Sequence, residues 1–102
     1  MSDITELHCA LIARVLEGDG TAPRELRRAA FENAGLGEPI ATLIDRVAYH
    51  ADSVTDEDVA AVRAAGLTED QIFEIVVCAA IGQASRQYKS GLAALASATR
   101  ER

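Results

Sequence analysis

The spacing of helix start and stop signals is the feature that most constrains the fold of this chain. Thr55 with Asp58, and Thr68 with Gln71, are typical capping boxes, in which two side chains three residues apart satisfy the free N–H groups of a helix start. Gly66, between the two boxes, is a natural helix stop because glycine adopts the left-handed conformation that often ends a helix. Signals for strands are nearly missing, so the second half of the chain predicts two consecutive helices.

The first half predicts three more helices. An apolar run over residues 7–16, opened by a box of Asp3 and Glu6, closes at Gly18-Asp19-Gly20. Thr21 is expected to cap a second helix that has Pro23 in its first turn and ends near Gly35, and Pro39 suits the first turn of a third. The last helix, beginning at Thr68, is expected to reach about Ser97. We therefore predict an all-α fold of about five helices, with residues 1–102 forming a single helical domain.

The apolar side chains are numerous but small. Hydrophobic residues make up 49% of the chain, yet alanine dominates them and aromatic residues reach only 4%. Small side chains bury little area each, so a core of this size contributes little stability. This composition favours a homo-oligomer, in which a second copy supplies further buried surface.

Charge and cysteine content exclude several classes of function. The net charge is −6, and a basic face of the kind that binds nucleic acid or an anionic membrane is not expected. Only Cys9 and Cys78 are present, too few for the disulfide framework of a small secreted protein. The chain opens without a charged-then-apolar leader, and its apolar runs are shorter than a membrane span. We expect a cytoplasmic protein without nucleic-acid or membrane partners.

The segment VAYHADSVTDEDVAAVRAAG, residues 47–66, concentrates acidic residues beside a histidine. Asp56, Glu57 and Asp58 follow the capping residue Thr55, where carboxylates meet the positive end of a helix dipole. The alternating oxygen ligands and closing glutamate of a calcium loop are missing. We interpret the cluster as the start of a helix and expect no metal site there.

Two groups of residues are candidates for a catalytic role. His50, beside Tyr49, is the histidine most suited to act as a general base, although the sequence does not identify its partner. Glu74, Cys78 and Arg86 fall on one stripe of the last helix. Glu74 could relay protons next to the thiol, but a carboxylate one turn away raises a thiol pKa. The favoured interpretation is that Cys78 is a small core residue and that Glu74 makes hydrogen bonds between helices or subunits.

Residues 66–95, GLTEDQIFEIVVCAAIGQASRQYKSGLAAL, resemble the carboxymuconolactone decarboxylase and alkylhydroperoxidase D superfamily. The resemblance depends on Gly66 closing one helix, Thr68 opening the next, the element Ile72-Phe73-Glu74 and the Ala-rich stretch that follows. With residues 40–65, it covers a little over half the chain. It implies an alkylhydroperoxidase D-like helical bundle whose subunits assemble into dimers, trimers or hexamers.

The peroxidase branch of this superfamily carries a Cys-x-x-Cys-x-x-x-His motif before the glycine, preceded by a relay glutamate. At the corresponding spacing from Gly66, this chain has Ala51, Val54 and Asp58, and Pro39 in place of the glutamate. Alanine and valine cannot form a thiolate or a disulfide, so disulfide-cycling peroxide reduction cannot run here. The decarboxylase branch does not depend on these cysteines and stays open.

The sequence thus predicts a homo-oligomeric member of this superfamily without the peroxidase centre, acting as a binding or accessory subunit with a small-molecule ligand and no cofactor. The alternative is an enzyme with decarboxylase-like or unconventional peroxide-reducing activity in a pocket between subunits. In that enzyme, the catalytic residues would be His50, Glu74 and Cys78, with Arg86 and Tyr49 contacting the ligand. A third possibility is a generic helical bundle that shares only helix patterning with the superfamily.

Overall fold

The structure, a computed structural model, describes residues 2–100 of the chain. Within these residues all regular secondary structure is helical and no strand is present, which confirms the predicted all-α class. A single 3₁₀ turn, Ala51–Ser53, separates the third and fourth of five α-helices. The helices are α1 (Ser2–Glu17), α2 (Arg24–Glu32), α3 (Ile40–Tyr49), α4 (Asp56–Ala64) and α5 (Glu69–Arg100).

Both capping boxes predicted in the second half are present. At the start of α4, the Asp58 N–H donates to Thr55 Oγ1 at 3.2 Å, and the Thr55 N–H donates to Asp58 Oδ2 at 2.9 Å. At the start of α5, the Gln71 N–H donates to Thr68 Oγ1 at 3.1 Å, and the Thr68 N–H donates to Gln71 Oε1 at 2.9 Å. These helix starts depend on neighbours in the sequence, which explains why the sequence predicts them.

The start and end of α2 differ from the prediction. Pro23 lies just before α2 and not in its first turn, and Thr21 does not cap the helix, because its hydroxyl is bonded to Glu74 of α5. The helix ends at Glu32, three residues before Gly35. Asn33 then adopts the left-handed conformation, with φ 51°, that ends many helices.

The first half of α5 forms the centre of the fold. Its buried side chains face α2 and α3 in one apolar cluster and α3 and α4 in a second. α1 lies beside α2 and α5. Only Glu74 is strongly polar between Ile72 and Ala80, which predicts that neighbouring helices or another subunit cover most of this stretch; within one subunit, Phe73 is 70% exposed and Ala80 is also exposed. The buried residues of α5 are Ile72, Ile75, Cys78, Ala79, Gly82 and Ser85.

A glycine allows α2 and α5 to approach closely. A Cβ atom at Gly82 would overlap the backbone carbonyl of Phe31, near the end of α2. The Arg86 guanidinium, one turn further along α5, donates to the same Phe31 carbonyl at 2.6 Å. The end of α2 is therefore fixed against α5 by close packing and by a hydrogen bond.

The second half of α5 is mostly uncovered by the other helices, although the His8 ring of α1 lies 5.5 Å from the ring of Tyr88 at its start. Every residue from 87 to 100 is exposed, and the molecule is 54 Å long in its largest dimension but only 21 Å in its smallest. No helix within residues 2–100 combines the length and apolarity that crossing a bilayer would require. We refer to residues 87–100 as the arm.

Candidate functional site

A groove of about 620 Å³ lies between α1 and the first half of α5. Leu11 and Val15 of α1 form one wall, and Phe73 and Val77 of α5 form the other. The polar part of the groove lies toward the loop that joins α1 to α2. The polar or glycine residues that line it are Arg14, Gly18, Asp19, Arg27 and Glu74.

Glu74 binds the loop between α1 and α2. The Thr21 N–H donates to both carboxylate oxygens, at 3.0 and 2.9 Å, and the Thr21 hydroxyl donates to Oε2. The Ala22 N–H donates to Oε1 at 3.3 Å. Gln71, one turn earlier on α5, donates from Nε2 to the Thr21 carbonyl at 3.1 Å. The carboxylate thus satisfies N–H groups that precede α2, and it holds the loop on α5.

These bonds determine the ionisation of Glu74. Partial burial raises the pKa of Glu74, but the hydrogen bonds from Thr21 and Ala22 and the positive charge of Arg27 outweigh burial. The pKa of Glu74 therefore lies below its ordinary value of 4.5. Near neutral pH, Glu74 is an ionised hydrogen-bond acceptor.

Arg27 of α2 ties the same loop to the end of α1. Its side chain is buried, with 5% of the residue exposed. Nε donates to the Ala22 carbonyl at 3.1 Å, and one terminal nitrogen donates to the carbonyls of Val15 and Gly18 at 3.1 and 2.8 Å. Carbonyls at a helix end carry partial negative charge, so they suit a buried guanidinium.

Gly20 lies between these two charged side chains. A Cβ atom at this position would overlap Glu74 Oε1 and would lie 3.6 Å from a terminal nitrogen of Arg27. A larger residue would therefore displace the Glu74 carboxylate from the loop. The loop, Glu74 and Arg27 form one structural unit at the polar end of the groove.

Cys78 lies one turn after Glu74, but it belongs to the core. It is 1% exposed, and its Sγ lies 3.7 Å from the Val15 carbonyl. Burial raises the pKa of the Cys78 thiol above its ordinary value of 9.0. The charge of Arg27 lowers this pKa in part, and that of Glu74 raises it further. A protonated, buried thiol matches the favoured sequence interpretation of Cys78 as a core residue.

His50 and Tyr49 lie at the far end of α3. Both residues are exposed, and the His50 N–H ends the helix by donating to the Arg46 carbonyl at 2.7 Å. Neither residue lines the groove that contains Glu74. One subunit therefore does not assemble the predicted set of His50, Glu74 and Cys78 in a single cavity, and their catalytic roles stay a prediction.

Arg86 has a structural position as well. Besides its bond to Phe31, it donates to Gln83 Oε1 on its own helix at 2.9 Å. It does not line the groove. A ligand held in this groove would therefore not be expected to contact Arg86, and its role as a ligand contact stays a prediction.

The acidic cluster behaves as the sequence predicts. Asp56, Glu57 and Asp58 occupy the first turn of α4. The backbone hydrogen bond from Thr55 lowers the pKa of Asp58, and the Arg46 guanidinium, 2.7 Å from Asp58 Oδ2, lowers it further against the opposing effect of desolvation. Among the side chains that the structure describes, those of residues 6–100, no three His, Cys, Asp or Glu residues form a group that could hold a metal ion.

The sequence does not reveal three important residues of this region. Thr21, Gly20 and Arg27 act through partners on other elements, and the partner of Thr21 is 53 residues away. A usable signal exists for Arg27, because it precedes Ala30 and Phe31 at helical spacing and so falls on the apolar face of α2.

No family model matches the chain, and no curated protein or solved structure is significantly similar to it. The features of the structure that bear on function are therefore the groove and the charged groups beside it.

Proposed function

We propose that this protein is a small homo-oligomer of the carboxymuconolactone decarboxylase and alkylhydroperoxidase D-like superfamily, without the peroxidase centre, and that it serves as a binding or accessory subunit. The resemblance of residues 66–95 supports the family. The all-α fold agrees with the helical bundle that this resemblance implies. Ala51, Val54 and Asp58 at the expected motif positions support the loss of the peroxidase centre.

The observation that best supports a binding role is that the Glu74 carboxylate is already occupied by hydrogen bonds from the loop between α1 and α2. A proton relay needs a carboxyl group whose pKa lies near the working pH. The pKa of Glu74 is lowered, and both of its oxygens accept hydrogen bonds from Thr21. The neighbouring Cys78 is buried with a raised pKa, which is the opposite of an activated thiol. Both groups therefore favour binding over catalysis.

The groove suggests the class of ligand. Its volume lies within the range of about 300–1,000 Å³ that is common for small-molecule sites. Leu11, Val15, Phe73 and Val77 supply apolar walls, and Arg14 lies at the polar end. We infer a small molecule with an apolar body and an anionic group.

The proposal can be tested with anilinonaphthalene sulfonate, a fluorescent probe that combines these two features. Titration of the native protein should give saturable fluorescence. Leu11→Glu introduces a carboxylate into the apolar wall and should weaken binding by about 10-fold or more. The control, Ala10→Glu, adds the same charge at an exposed neighbouring position outside the groove, and it should bind the probe like the native protein.

Two results would contradict the proposal. One is the absence of saturable probe binding by the folded native protein. The other is equal binding by the native protein and by Leu11→Glu, which would locate the probe outside the groove. Circular dichroism should show that both variants keep the native helix content.

The alternative, an enzyme, has less support. It needs His50 to reach Glu74 or Cys78 across an interface between subunits, since His50 does not line the groove of its own subunit. Peroxide consumption with a thiol reductant separates the two proposals. Turnover that depends on Cys78 or His50 would favour the enzyme.

A further inference from the structure

The arm, residues 87–100 of α5, has an apolar stripe of which its own subunit partly covers the first member: the Tyr88 ring lies 5.5 Å from the ring of His8 in α1. Tyr88, Leu92 and Leu95 follow one another at spacings of four and three residues, which places them on one helix face. Leu92 is 43% exposed and Leu95 is 64% exposed. An isolated helix of about 14 residues is only marginally stable in water, so a partner on this face would stabilise the arm.

Acidic and basic residues are distributed unevenly between residues 1–74 and the rest of the chain. Residues 1–74 contain 15 of the 16 acidic residues but only six of the ten basic residues. In α5 after Glu74 the charged residues are all basic: Arg86, which is bonded to Phe31 before the arm begins, and Lys89 and Arg100 in the arm itself. An arm of this charge is attracted to an acidic surface, and residues 1–74 of a second copy supply one.

Helix α1 offers the matching apolar surface. Leu7 is 71% exposed, and Leu11, one turn later on the same face, is 46% exposed. The acidic residue Glu6 is exposed beside Leu7. The spacing of Leu7 and Leu11 is close to that of Leu92 and Leu95, so two pairs of leucines can pack against each other with Glu6 near a basic side chain.

We propose that the arm of one subunit packs on α1 of a second copy, with Leu92 and Leu95 against Leu7 and Leu11, in a reciprocal twofold dimer. The same surface patch then serves both subunits, as twofold symmetry requires. Because Leu11 also lines the groove, the arm of the partner covers the open side of the ligand site. This inference rests on the proposed homo-oligomer and identifies the surface that forms it.

The charge distribution argues against an anionic membrane or nucleic acid as the partner of the arm. An anionic membrane would attract Lys89 and Arg100 of the arm, but it would repel the strongly acidic remainder of the same subunit. Nucleic acid is disfavoured for the same reason. In a reciprocal dimer, the basic arm of each subunit lies against the acidic residues 1–74 of the other.

The test is sedimentation equilibrium of the full-length protein and two charge-matched variants. Leu92→Glu with Leu95→Glu introduces charges on the apolar stripe and should raise the dimer dissociation constant by about 100-fold or more. Ala93→Glu with Ser97→Glu adds the same charges on the opposite face of the arm and should weaken the dimer much less. The native dimer should also weaken as NaCl rises from about 20 to about 500 mM, because salt screens charge attraction.

The outcomes separate this inference from the proposed function. An oligomer that survives Leu92→Glu with Leu95→Glu overturns the arm contact but leaves the proposed homo-oligomer standing. A native protein that stays monomeric at high concentration overturns both. A monomer whose arm binds vesicles of phosphatidylcholine and phosphatidylserine assigns the arm to a lipid surface and also overturns the inference. Circular dichroism of each variant checks that α1–α4 remain folded.

Discussion

Glu74, in the middle of the fold, accepts hydrogen bonds from the backbone N–H and the hydroxyl of Thr21, a residue 53 positions earlier in the chain. This contact joins the loop between α1 and α2 to the central helix α5. It also gives a structural role to a carboxylate that the sequence presents as a candidate proton relay. This contact is one reason why we propose a binding role for the groove beside it.

The stability of the protein should depend on pH through Glu74. Because the pKa of Glu74 is lowered in the folded protein, its contribution is present above the ordinary value of 4.5 and is lost as pH falls through the folded value. Near neutral pH, Glu74→Ala should lower the free energy of unfolding by about 1–3 kcal/mol. Urea unfolding from neutral to acidic pH should show the native protein and the variant converging at low pH. Glu57→Gln, at an exposed position, is the control, and a pH-independent difference for Glu74→Ala would contradict the account.

Two glycines of α5 should respond to alanine in opposite directions. Gly82→Ala places a methyl group against the Phe31 carbonyl, and such overpacking costs about 1–3 kcal/mol. Gly91 has open space around it within the exposed arm, so Gly91→Ala should stabilise the helix by about 0.5–1 kcal/mol. Thermal unfolding of both variants measures the two effects. Equal changes of the same sign would show that α2 does not approach α5 at Gly82.

The guanidinium of Arg27 should not be replaceable by an amine. Arg27→Lys keeps the charge but cannot bond the Val15, Gly18 and Ala22 carbonyls together, so it should cost about 2 kcal/mol or more. The control is Arg28→Lys, since Arg28 is exposed and only 3.7 Å from Glu17 in a surface ion pair of little energetic value. Similar unfolding energies for the two variants would contradict the role of Arg27.

The two thiols should differ sharply in reactivity. Cys9 is exposed and Cys78 is buried with a raised pKa, so a thiol reagent should modify Cys9 in the folded protein and Cys78 only after unfolding. Native protein and Cys78→Ser should consume peroxide at equal and negligible rates in the presence of a thiol reductant. Rapid modification of Cys78 in the folded state, or turnover lost in Cys78→Ser, would support the enzyme instead.

Features that depend on neighbouring residues could be predicted from the sequence. The boxes of Thr55 with Asp58 and of Thr68 with Gln71 are local, and both are confirmed. Thr21 is the informative failure: its sequence context is typical of a helix cap, but a carboxylate from α5 binds its N–H and hydroxyl more strongly than the start of α2 would. Long-range packing determines that contact, so it cannot be predicted from the residues next to Thr21.

The same limit applies to the candidate site. The sequence places Glu74, Cys78 and Arg86 on one stripe of α5, but it cannot show that Phe31 lies over this helix near Arg86. Nor can it identify the loop at Thr21 as the hydrogen-bonding partner of Glu74. The chemical character of each residue depends on the neighbours that the fold brings to it.

Hydrogen exchange of the Thr21 and Ala22 amides in native protein and in Glu74→Gln tests most directly the claim that Glu74 is a structural clamp. The neutral amide keeps the shape of the side chain but accepts fewer and weaker hydrogen bonds. The account predicts that both amides are protected in the native protein and exchange at least about 10-fold faster in the variant, while amides of α4 are unchanged. Equal exchange at Thr21 and Ala22 in the two proteins would contradict it.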